Sequence, residues 1–337
     1  MCRRLLPALL LPLALGSPAA AARASASHLL VREPGRAVPA VVVDEQGLAV
    51  DLATGSARLS LPPGARVEAV VGLDGGWLLA ATRPEGGDRE ILLLADRGDG
   101  AAELPPPGDR AAGRSRPVPV VAAGELLGLL WLEGASETSN GIRWAAWSGT
   151  GFDAPIVVAP PGPGSQLALA AARLDDGRVV AVWAGYDGTD DEIWASVLSG
   201  QAWSDPVRVA EDNRVPDITP AVTAAPGGAA WVAWSRYDGS EYRVATARFD
   251  GRQFAGSIPV GAPGSLYPSF EHVGDDTFLL WFDAGSDLWT LAGIAPGGQL
   301  LVHAVAPGSS TQRPTVSRAG DRVLFRFDAE QREAAWK

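Results

Sequence analysis

Short hydrophobic runs recur along the chain, separated by glycine, proline and aspartate. In one stretch they predict four strands, Ala221–Ala225, Ala229–Ser235, Arg243–Phe249 and Gln253–Val260. The breaks contain Pro-Gly-Gly, Tyr-Asp-Gly-Ser and Asp-Gly, which favour tight turns because glycine and aspartate tolerate the backbone angles that turns need. No long amphipathic helix pattern follows residue 26. The pattern therefore predicts an all-β protein built from short hairpin-connected strands.

This four-strand pattern repeats along the chain. A bulky residue at the end of the second run recurs at steps of 50, 52, 51, 47 and 44 residues, at Ala81, Trp131, Trp183, Trp234, Trp281 and Phe325. A glycine three residues before a large side chain gives the same register, at Gly149/Phe152, Gly200/Trp203, Gly251/Phe254 and Gly297/Leu300. Four-stranded units of this length are the size of propeller blades, in which recurring large side chains pack between neighbouring blades.

The spacing predicts six blades in one domain, residues 27–337. The units cover residues 65–110, 114–163, 165–214, 217–264, 266–309 and 312–337. The last unit is short, and residues 37–62 carry the missing landmark at Gly55. Because a closed ring leaves no free sheet edges, we expect an N-terminal strand to complete the C-terminal blade. The prediction is an all-β, six-bladed β-propeller of four-stranded blades, with a β-helix or a sandwich as the alternative.

The N-terminus has the form of a secretory signal peptide over residues 1–26. Arg3 and Arg4 precede the apolar stretch Leu5–Gly16, and small residues follow as far as Ala26. That stretch is too short to span a bilayer comfortably, and no later segment predicts a transmembrane span. We therefore expect export to the periplasm or the extracellular space. Cys2 is the only cysteine, so the exported chain would have no disulfide and no cysteine metal ligand.

Composition narrows the classes of partner. Hydrophobic residues make up 47% and charged residues 20% of the 337, as in ordinary soluble globular proteins. The formal net charge of −11 disfavours nucleic acid and anionic membranes, because phosphate binding needs a basic surface. We expect a monomer whose partner is a glycan, a peptide or another protein.

The glycine–aromatic landmark resembles the Asp-box of sialidase-like propellers, Ser-x-Asp-x-Gly-x-x-Trp, which joins the third and fourth strands of a blade. In SVLSGQAW, Ser196, Gly200 and Trp203 match this frame, and Leu198 stands at the aspartate position. Phe249 and Trp147 stand there in two other copies. The chain therefore resembles a degenerate bacterial neuraminidase-repeat propeller of the sialidase superfamily. The resemblance implies a fold, and a fold alone does not establish an activity.

A sialidase would use three arginines on a carboxylate, a Tyr–Glu nucleophile pair and an acidic group. The resemblance places Arg32, in the segment VREP, as the first arginine, and Tyr267 with Glu271 as the candidate pair. The sequence does not indicate the other two arginines. Glycoside cleavage by two other carboxylates is a further alternative, because Asp and Glu are plentiful on the loops.

Two Tyr-Asp-Gly triplets lie 51 residues apart, each between a second and a third strand. In a sialidase-like propeller this turn lies on the face opposite the Asp-boxes, where ligands bind, so Tyr186, Asp187, Tyr237 and Asp238 are the ligand-binding candidates. The acidic run that includes Asp187, Asp190, Asp191 and Glu192 could bind Ca²⁺ through oxygen ligands, although it lacks the spacing of a known calcium loop. The sequence indicates no other cofactor.

The sequence favours an exported, non-catalytic binding propeller that engages a glycan, a peptide or a partner protein through loops on one face. A sialidase-like glycoside hydrolase is the first alternative, and a purely structural envelope protein is the second. Three arginines converging near the axis would favour the hydrolase. An axial pocket lined by Ala, Leu and Val would argue against it.

Overall fold

The computed structural model describes residues 24–25, 30–31, 40–44, 47–52, 55–109, 113–136, 139–273, 276–295, 299–320, 322–327 and 330–335. Within these ranges every regular element is a β-strand, which confirms the all-β prediction. None of the described residues belongs to a helix that could cross a bilayer. The predicted leader and Arg32 lie outside these ranges, apart from Ala24–Ser25, so the leader stays a prediction.

The described residues contain 29 strands. In chain order they are β1 (Ala24–Ser25), β2 (Leu30–Val31), β3 (Ala40–Asp44), β4 (Gly47–Leu52), β5 (Gly55–Leu59), β6 (Arg66–Leu73), β7 (Gly76–Glu85), β8 (Asp88–Asp96), β9 (Ala102–Leu104), β10 (Arg114–Ala122), β11 (Glu125–Ser136), β12 (Ser139–Ala146), β13 (Ile156–Ala159), β14 (Gln166–Arg173), β15 (Val179–Tyr186), β16 (Asp191–Ser199), β17 (Ala202–Trp203), β18 (Val207–Arg208), β19 (Asp217–Ala225), β20 (Ala229–Tyr237), β21 (Tyr242–Phe249), β22 (Phe254–Pro259), β23 (Ser265–Val273), β24 (Asp276–Asp283), β25 (Leu288–Ile294), β26 (Leu300–Pro307), β27 (Thr315–Ala319), β28 (Arg322–Phe327) and β29 (Glu330–Ala335).

These strands form seven sheets, which we number along the chain. Sheet 1 is β1-β3-β4-β5, sheet 2 is β2-β6-β7-β8-β9, sheet 3 is β10 to β13, sheet 4 is β14 to β18, sheet 5 is β19 to β22, sheet 6 is β23 to β26, and sheet 7 is β27 to β29. All the described pairings are antiparallel except the short parallel pair β2–β6. Sheets 3, 5 and 6 therefore add their strands in chain order, and sheet 4 does so as far as β17, while β18 pairs with β16 beside β17.

The N-terminal strands pair differently from the expectation of strand exchange. β3, β4 and β5 form consecutive hairpins, with Val42 opposite Ala49 and Val50 opposite Ala57. No pairing among the described residues joins them to sheet 7. Two-residue connections make local hairpins less costly in chain entropy than a pairing with the far end of the chain. The predicted completion of the last blade is therefore not what these sheets show.

The first long strand of each sheet from sheet 2 to sheet 6, which we call its first strand, lies beside that of the next sheet around a central cavity. β6, β10, β14, β19 and β23 supply the walls of this cavity, whose volume is about 600 Å³, and Arg313 reaches it from just before β27. The same strands contact one another in chain order, from β6 to β27. Inner strands around an axis, with the later strands of each sheet outside them, make the arrangement propeller-like.

The repeated bulky positions form the core between sheets. All six are buried, and each lies on the second long strand of its sheet, which in sheet 2 is β7 because the two-residue β2 precedes β6: Ala81, Trp131, Trp183, Trp234, Trp281 and Phe325. Trp234 packs with Val180 and Val182 of the preceding sheet, and Trp183 packs with Leu130 of sheet 3. Packing between neighbouring sheets is therefore confirmed as the role of these two tryptophans.

The glycine–aromatic landmarks lie on turns between the third and fourth strands. Gly149, Gly200 and Gly251 have φ of +96°, +63° and +97°, which glycine adopts without steric cost. The residue at the aspartate position of the motif packs on the motif's aromatic ring, with centroids 5.0 Å apart for Phe249–Phe254 and 4.9 Å for Trp147–Phe152. Aromatic packing thus occupies the place where an Asp-box has a carboxylate.

Candidate functional site

The two Tyr-Asp-Gly turns lie on one face of the molecule. Because strands alternate in direction, the β15–β16 and β20–β21 turns lie at the same end as the starts of β14, β19 and β23. Hydrogen bonds confirm this, since the N–H of Tyr186 donates to Ser165 and the N–H of Tyr237 to Pro216. We call this end the upper face. The glycine–aromatic turns lie at the opposite, lower face.

The triplet has the same conformation in both copies. The N–H of Asp187 donates to the carbonyl of Asp190 at 3.0 Å, and that of Asp238 to Glu241 at 2.9 Å. The Asp187 carboxylate accepts the N–H groups of Thr189 and Asp190, and the Asp238 carboxylate accepts the corresponding two. Such side-chain to backbone bonds are what makes aspartate a turn residue. Both aspartates therefore build their turns.

Asp238 is fully engaged within its own turn. Besides the N–H groups of Ser240 and Glu241, its carboxylate accepts the Ser240 hydroxyl at 2.8 Å and the Arg243 guanidinium at 2.9 Å. These bonds, with those from the Glu241 and Ser240 backbone first, hold the pKa of Asp238 well below its usual range. Three of these bonds are to one oxygen of Asp238, and the other oxygen is paired with Arg243.

Asp187 has partners outside its turn. Its second oxygen accepts Arg208, whose guanidinium also pairs with Asp212 at 2.8 Å. Arg208 in turn lies 5.3 Å above the ring of Trp194, which holds it in place. Asp212 is in the link between sheets 4 and 5, so the side chain of Asp187 is tied through Arg208 to this link, which the second turn contacts through the N–H of Tyr237 and the carbonyl of Pro216.

Buried carboxylates without partners lie beside Asp187. Asp190 is only 9% exposed, and neither of its carboxylate oxygens has a hydrogen-bond partner. Glu192 is 1% exposed, and its Oε1 is also without a partner. Burial, followed by the negative charge of Asp187, raises the pKa of Asp190. Burial and then Asp217 raise the pKa of Glu192 to about 7. Burying a carboxylate without a partner costs folding free energy, so such a group indicates a candidate binding or catalytic site.

Three carboxylates here could share a metal ion. One oxygen of each of Asp187, Asp190 and Asp212 lies within 4.8 Å of the other two. Of the four residues predicted as calcium ligands, two belong to this group. The pKa of Asp191 is raised by burial and by Asp187, and Asp191 also lies near Tyr242. We call Asp187, Asp190 and Asp212 the acidic group. Asp191 interacts electrostatically both with Asp187 of this group and with Tyr242.

Three tyrosines also lie at the upper face, close to the β20–β21 turn and the start of β23. The rings of Tyr237 and Tyr242 contact each other with centroids 5.2 Å apart. Burial raises the pKa of Tyr242, and the charges of Tyr237, Asp191 and Tyr267, in that order, raise it further. The N–H of Gly264 donates to the carbonyl of Tyr242, which places the start of β23 beside this strand. Tyr267 is 41% exposed. We call Tyr237, Tyr242 and Tyr267 the tyrosine group; it combines residues of sheets 5 and 6.

A repeated backbone bulge presents Tyr267 on this face. Four first strands have a register shift near their start, and the shifted residues Arg116, Ala168, Thr219 and Tyr267 have φ of +51°, +48°, +54° and +56°. Positive φ is strained for a side chain with a Cβ, and bulges re-aim side chains at sheet ends. The repeat therefore provides one presented position per sheet, and tyrosine fills it only in sheet 6.

Tyr186 has a structural environment that Tyr237 lacks. Its hydroxyl donates to the carbonyl of Gly188 in its own turn at 2.9 Å. Its ring lies against Gly164, where an added Cβ would be 2.6 Å from a ring carbon. The four ligand candidates therefore separate: Tyr237 belongs to the tyrosine group, Asp187 to the acidic group, and Tyr186 and Asp238 are engaged within their turns.

The residues suggested for sialidase chemistry have other surroundings. Glu271 is fully buried, accepts Arg313 at 2.5 Å and is 3.4 Å from the Ser269 hydroxyl. Tyr267, four residues earlier on β23, is exposed and lies near Tyr242. Arg32 falls outside the described residues. The structure thus places Tyr267 on the tyrosine group and Glu271 with an arginine of the next sheet.

The central cavity is lined mostly by alanine, valine, leucine and proline. The arginines among its described lining residues are Arg173 and Arg313, at the end of β14 and before β27. His272 also lines it, with its ring nitrogens 3.3 Å from the Thr223 hydroxyl and 3.2 Å from that of Thr277. Apolar residues predominate in number, and charged side chains, among them Glu68, Asp175 and these two arginines, also line the cavity.

Three residues of the site were not predicted from the sequence. Asp212 lies in a link between repeats, Arg208 on a two-residue strand, and Tyr242 three residues after the second triplet. The available signal was positional, because the link before a first strand and the turn after a second strand meet at the same end of a sheet. Asp212 lies in the link that follows sheet 4, so considering the first triplet together with the link after its sheet would have identified it.

No protein-family model and no curated protein matches the sequence. Solved structures do share the fold. A polysaccharide lyase of the PL25 ulvan lyase family superposes with a TM-score of 0.60 at 10% identity, covering 94% of both chains. A complex of the same kind of lyase with a glucuronate–rhamnose saccharide gives 0.60 at 9% identity, again over 94% of both chains. A further polysaccharide lyase gives 0.59 at 10% identity, over 93% of this chain and 91% of that one. At these identities the likeness concerns the fold, and the Asp-box resemblance stays a prediction.

Proposed function

We propose that this chain is a glycan-binding protein that holds a sugar on the tyrosine group of the upper face without cleaving it. The observation that supports the proposal is the combination of three neighbouring tyrosines from two sheets with the carboxylate of Asp191. Tyr267 is the exposed member and is presented by a strained bulge.

This combination suits a sugar chemically. Aromatic rings offer a flat apolar face and a hydroxyl at the rim, so they can pack on sugar C–H groups and still form hydrogen bonds. An ionised carboxylate accepts hydrogen bonds from hydroxyls. The acidic group beside the tyrosines and the net charge of −11 disfavour an anionic sugar. We therefore propose an uncharged glycan as the ligand class.

Two further considerations support a glycan rather than a peptide or protein partner. The solved structures that share this fold at a TM-score near 0.60 are named as polysaccharide lyases, and one holds a saccharide. The leader pattern predicts export, which would place the chain where free polysaccharide occurs. Both considerations support a glycan as the partner. The saccharide in that complex contains glucuronate and 3-sulfated rhamnose and is anionic, so the proposal of an uncharged glycan is based on the charge of this chain alone.

A second candidate function, glycan cleavage, is favoured by Glu192. A carboxyl with a pKa of about 7 can act as a general acid near neutral pH. Glu192 is, however, almost fully buried, so a sugar on the tyrosine group would not contact it without a rearrangement. Burial of the acid is the reason why binding without turnover is the preferred proposal.

Glycan-array binding of the exported form tests the proposal. Tyr267→Ala removes the exposed ring, and we expect about a tenfold loss of affinity for the array hit, since one aromatic contact is worth about 0.5–1.5 kcal/mol beyond its buried area. Tyr186→Phe is the matched control, because it changes a tyrosine that is engaged in its own turn, and it should bind like the unmodified protein.

Activity assays separate the two candidate functions. With the unmodified chain, we expect no release of fluorophore from fluorogenic glycosides and no formation of the unsaturated products of a lyase reaction. Turnover that is lost in Glu192→Gln would support the cleaving function instead. An array with no hit, or equal binding by Tyr267→Ala and the unmodified protein, would contradict the tyrosine group as a glycan site.

A further inference from the structure

The geometry points to one calcium ion bound by Asp187, Asp190 and Asp212 at the edge of the upper face. This inference is independent of the proposed glycan binding, because it concerns a different set of side chains. Asp187 and Asp190 come from the β15–β16 turn, and Asp212 from the link that leads to β19. One oxygen from each lies within 4.8 Å of the others. This is the span of oxygens around a Ca²⁺ ion at about 2.4 Å.

A second observation is that one of the three carboxylates, that of Asp190, has no hydrogen-bond partner. Asp190 is more than nine-tenths buried, and both of its oxygens are shielded from solvent without a hydrogen-bond donor. The nearby Glu192 Oε1 is in the same condition. Native proteins satisfy nearly all buried polar groups, and buried charges are paired or bind metal. A cation between Asp190 and its neighbours would supply the missing partner.

The local charge matches a divalent ion. Asp187, Asp190 and Asp212 contribute three negative charges, and Arg208, which pairs with Asp187 and Asp212, contributes one positive charge. The remainder is two negative charges, and Asp190 is the member that Arg208 does not reach in the described contacts. One Ca²⁺ ion therefore neutralises the group without displacing Arg208.

Calcium fits the donor set better than other metals. The three ligands are carboxylates, which hard cations prefer, and the set contains no histidine or cysteine nitrogen or sulfur. Two of the three side chains come from an irregular turn, and Ca²⁺ accepts irregular geometry whereas Mg²⁺ demands a near-ideal octahedron at 2.0–2.1 Å. The exposed side chain of Asp212 leaves room on that side for water to complete the coordination.

The test is a calcium titration of the EDTA-treated full chain, followed by thermal unfolding and by Tb³⁺ luminescence sensitised by Trp194. Extracellular calcium sites have Kd of about 10⁻⁴–10⁻³ M. At about 10 mM Ca²⁺ we therefore expect the unfolding temperature to rise by roughly 5 °C. Asp190→Asn should abolish this rise and the Tb³⁺ signal. Asp212→Asn, at an exposed position, should weaken binding about tenfold and keeps the test valid if Asp190→Asn misfolds.

Glu241→Gln is the matched control, because Glu241 occupies the position of Asp190 in the second turn and lies outside the acidic group. It should keep the full response. A calcium response that persists in Asp190→Asn and Asp212→Asn would overturn the assignment. So would an equal response to Mg²⁺, which would indicate general charge screening, or the absence of any response.

Discussion

The turns at Tyr186–Asp190 and Tyr237–Glu241 share a sequence triplet and a hydrogen-bond pattern, yet their surroundings differ. In the second turn the aspartate is satisfied by Ser240, Glu241 and Arg243. In the first, the aspartate joins a loop through Arg208, and a buried aspartate beside it has no partner. The repeated residues build the turn, and the residues that differ between the copies decide whether the turn becomes a site.

The difference arises at the fifth residue and beyond. Position five of the turn is the buried Asp190 in one copy and the exposed Glu241 in the other. The next residue is Asp191 in the first and Tyr242 in the second, which turns one copy acidic and the other aromatic. Duplicated scaffolds can therefore supply two neighbouring, chemically distinct surfaces on one face.

The largest expected effect tests whether the two scaffolds are equivalent. Trp183→Ala and Trp234→Ala each remove a fully buried ring on the strand that leads into a turn. Each should lower the free energy of unfolding by about 3–5 kcal/mol, and the two values should agree within about 1 kcal/mol. Chemical denaturation measures both. Trp231→Ala, half-buried on β20, is the control and should cost less; a large difference between the first two variants would show that the sheets are packed differently.

An intermediate effect concerns the buried acid of the first turn. The pKa of Glu192 is about 7 in the folded chain against an ordinary value near 4.5, so the folded state binds the proton more tightly. Stability contributed by the protonated acid is complete below pH 4.5 and is lost as pH rises to 7. In EDTA at pH 8, Glu192→Gln should therefore be more stable than the unmodified chain by about 2–3 kcal/mol, with no difference near pH 4.

The matched position in the second turn is Arg243, and Arg243→Gln should leave the change of stability between pH 4.5 and 7 intact. Unfolding temperatures across this pH range measure the effect. A pH dependence that is the same in Glu192→Gln as in the unmodified chain would show that Glu192 is not the titrating group.

The smallest effect belongs to the second turn. Hydrogen bonds hold the pKa of Asp238 below its usual value of about 3.9, so its stabilisation is present above that value and is lost as pH falls below it. Asp238→Asn should be slightly less stable than the unmodified chain at pH 7, and the two should converge in acid. Asp205→Asn, at an exposed position outside both turns, is the control. Parallel acid-unfolding curves for Asp238→Asn and the unmodified chain would contradict this assignment.

Much of the fold follows from local pattern. Trp183 and Trp234 were predicted as core because one residue type recurs at one strand position, and burial at that position confirms it. β19 begins at Asp217, four residues before the predicted start at Ala221. The predicted start was wrong because a proline such as Pro220 usually indicates a strand boundary. A bulge accommodates the proline, since a bulged residue needs no ladder hydrogen bond.

The remaining features, the pairing of the N-terminal strands and the composition of the site, depend on contacts between segments that are distant in the sequence. The N-terminal strands were expected to close the ring, since edge protection is a global argument, but their short connections favour hairpins with one another. For the site, the triplets were visible in the sequence, whereas Asp212 and Tyr267 come from other loops and strands. Their place beside the triplets follows only from the alternation of strands around the axis.

The most direct test of the difference between the two turns is a crystal structure grown with calcium, with anomalous scattering used to locate the ion. We predict one peak within about 2.3–2.6 Å of carboxylate oxygens of Asp187, Asp190 and Asp212, and none at the Asp238 turn. No peak at the first turn, or equal peaks at both turns, would contradict the conclusion that the same triplet supports a site in only one of its copies.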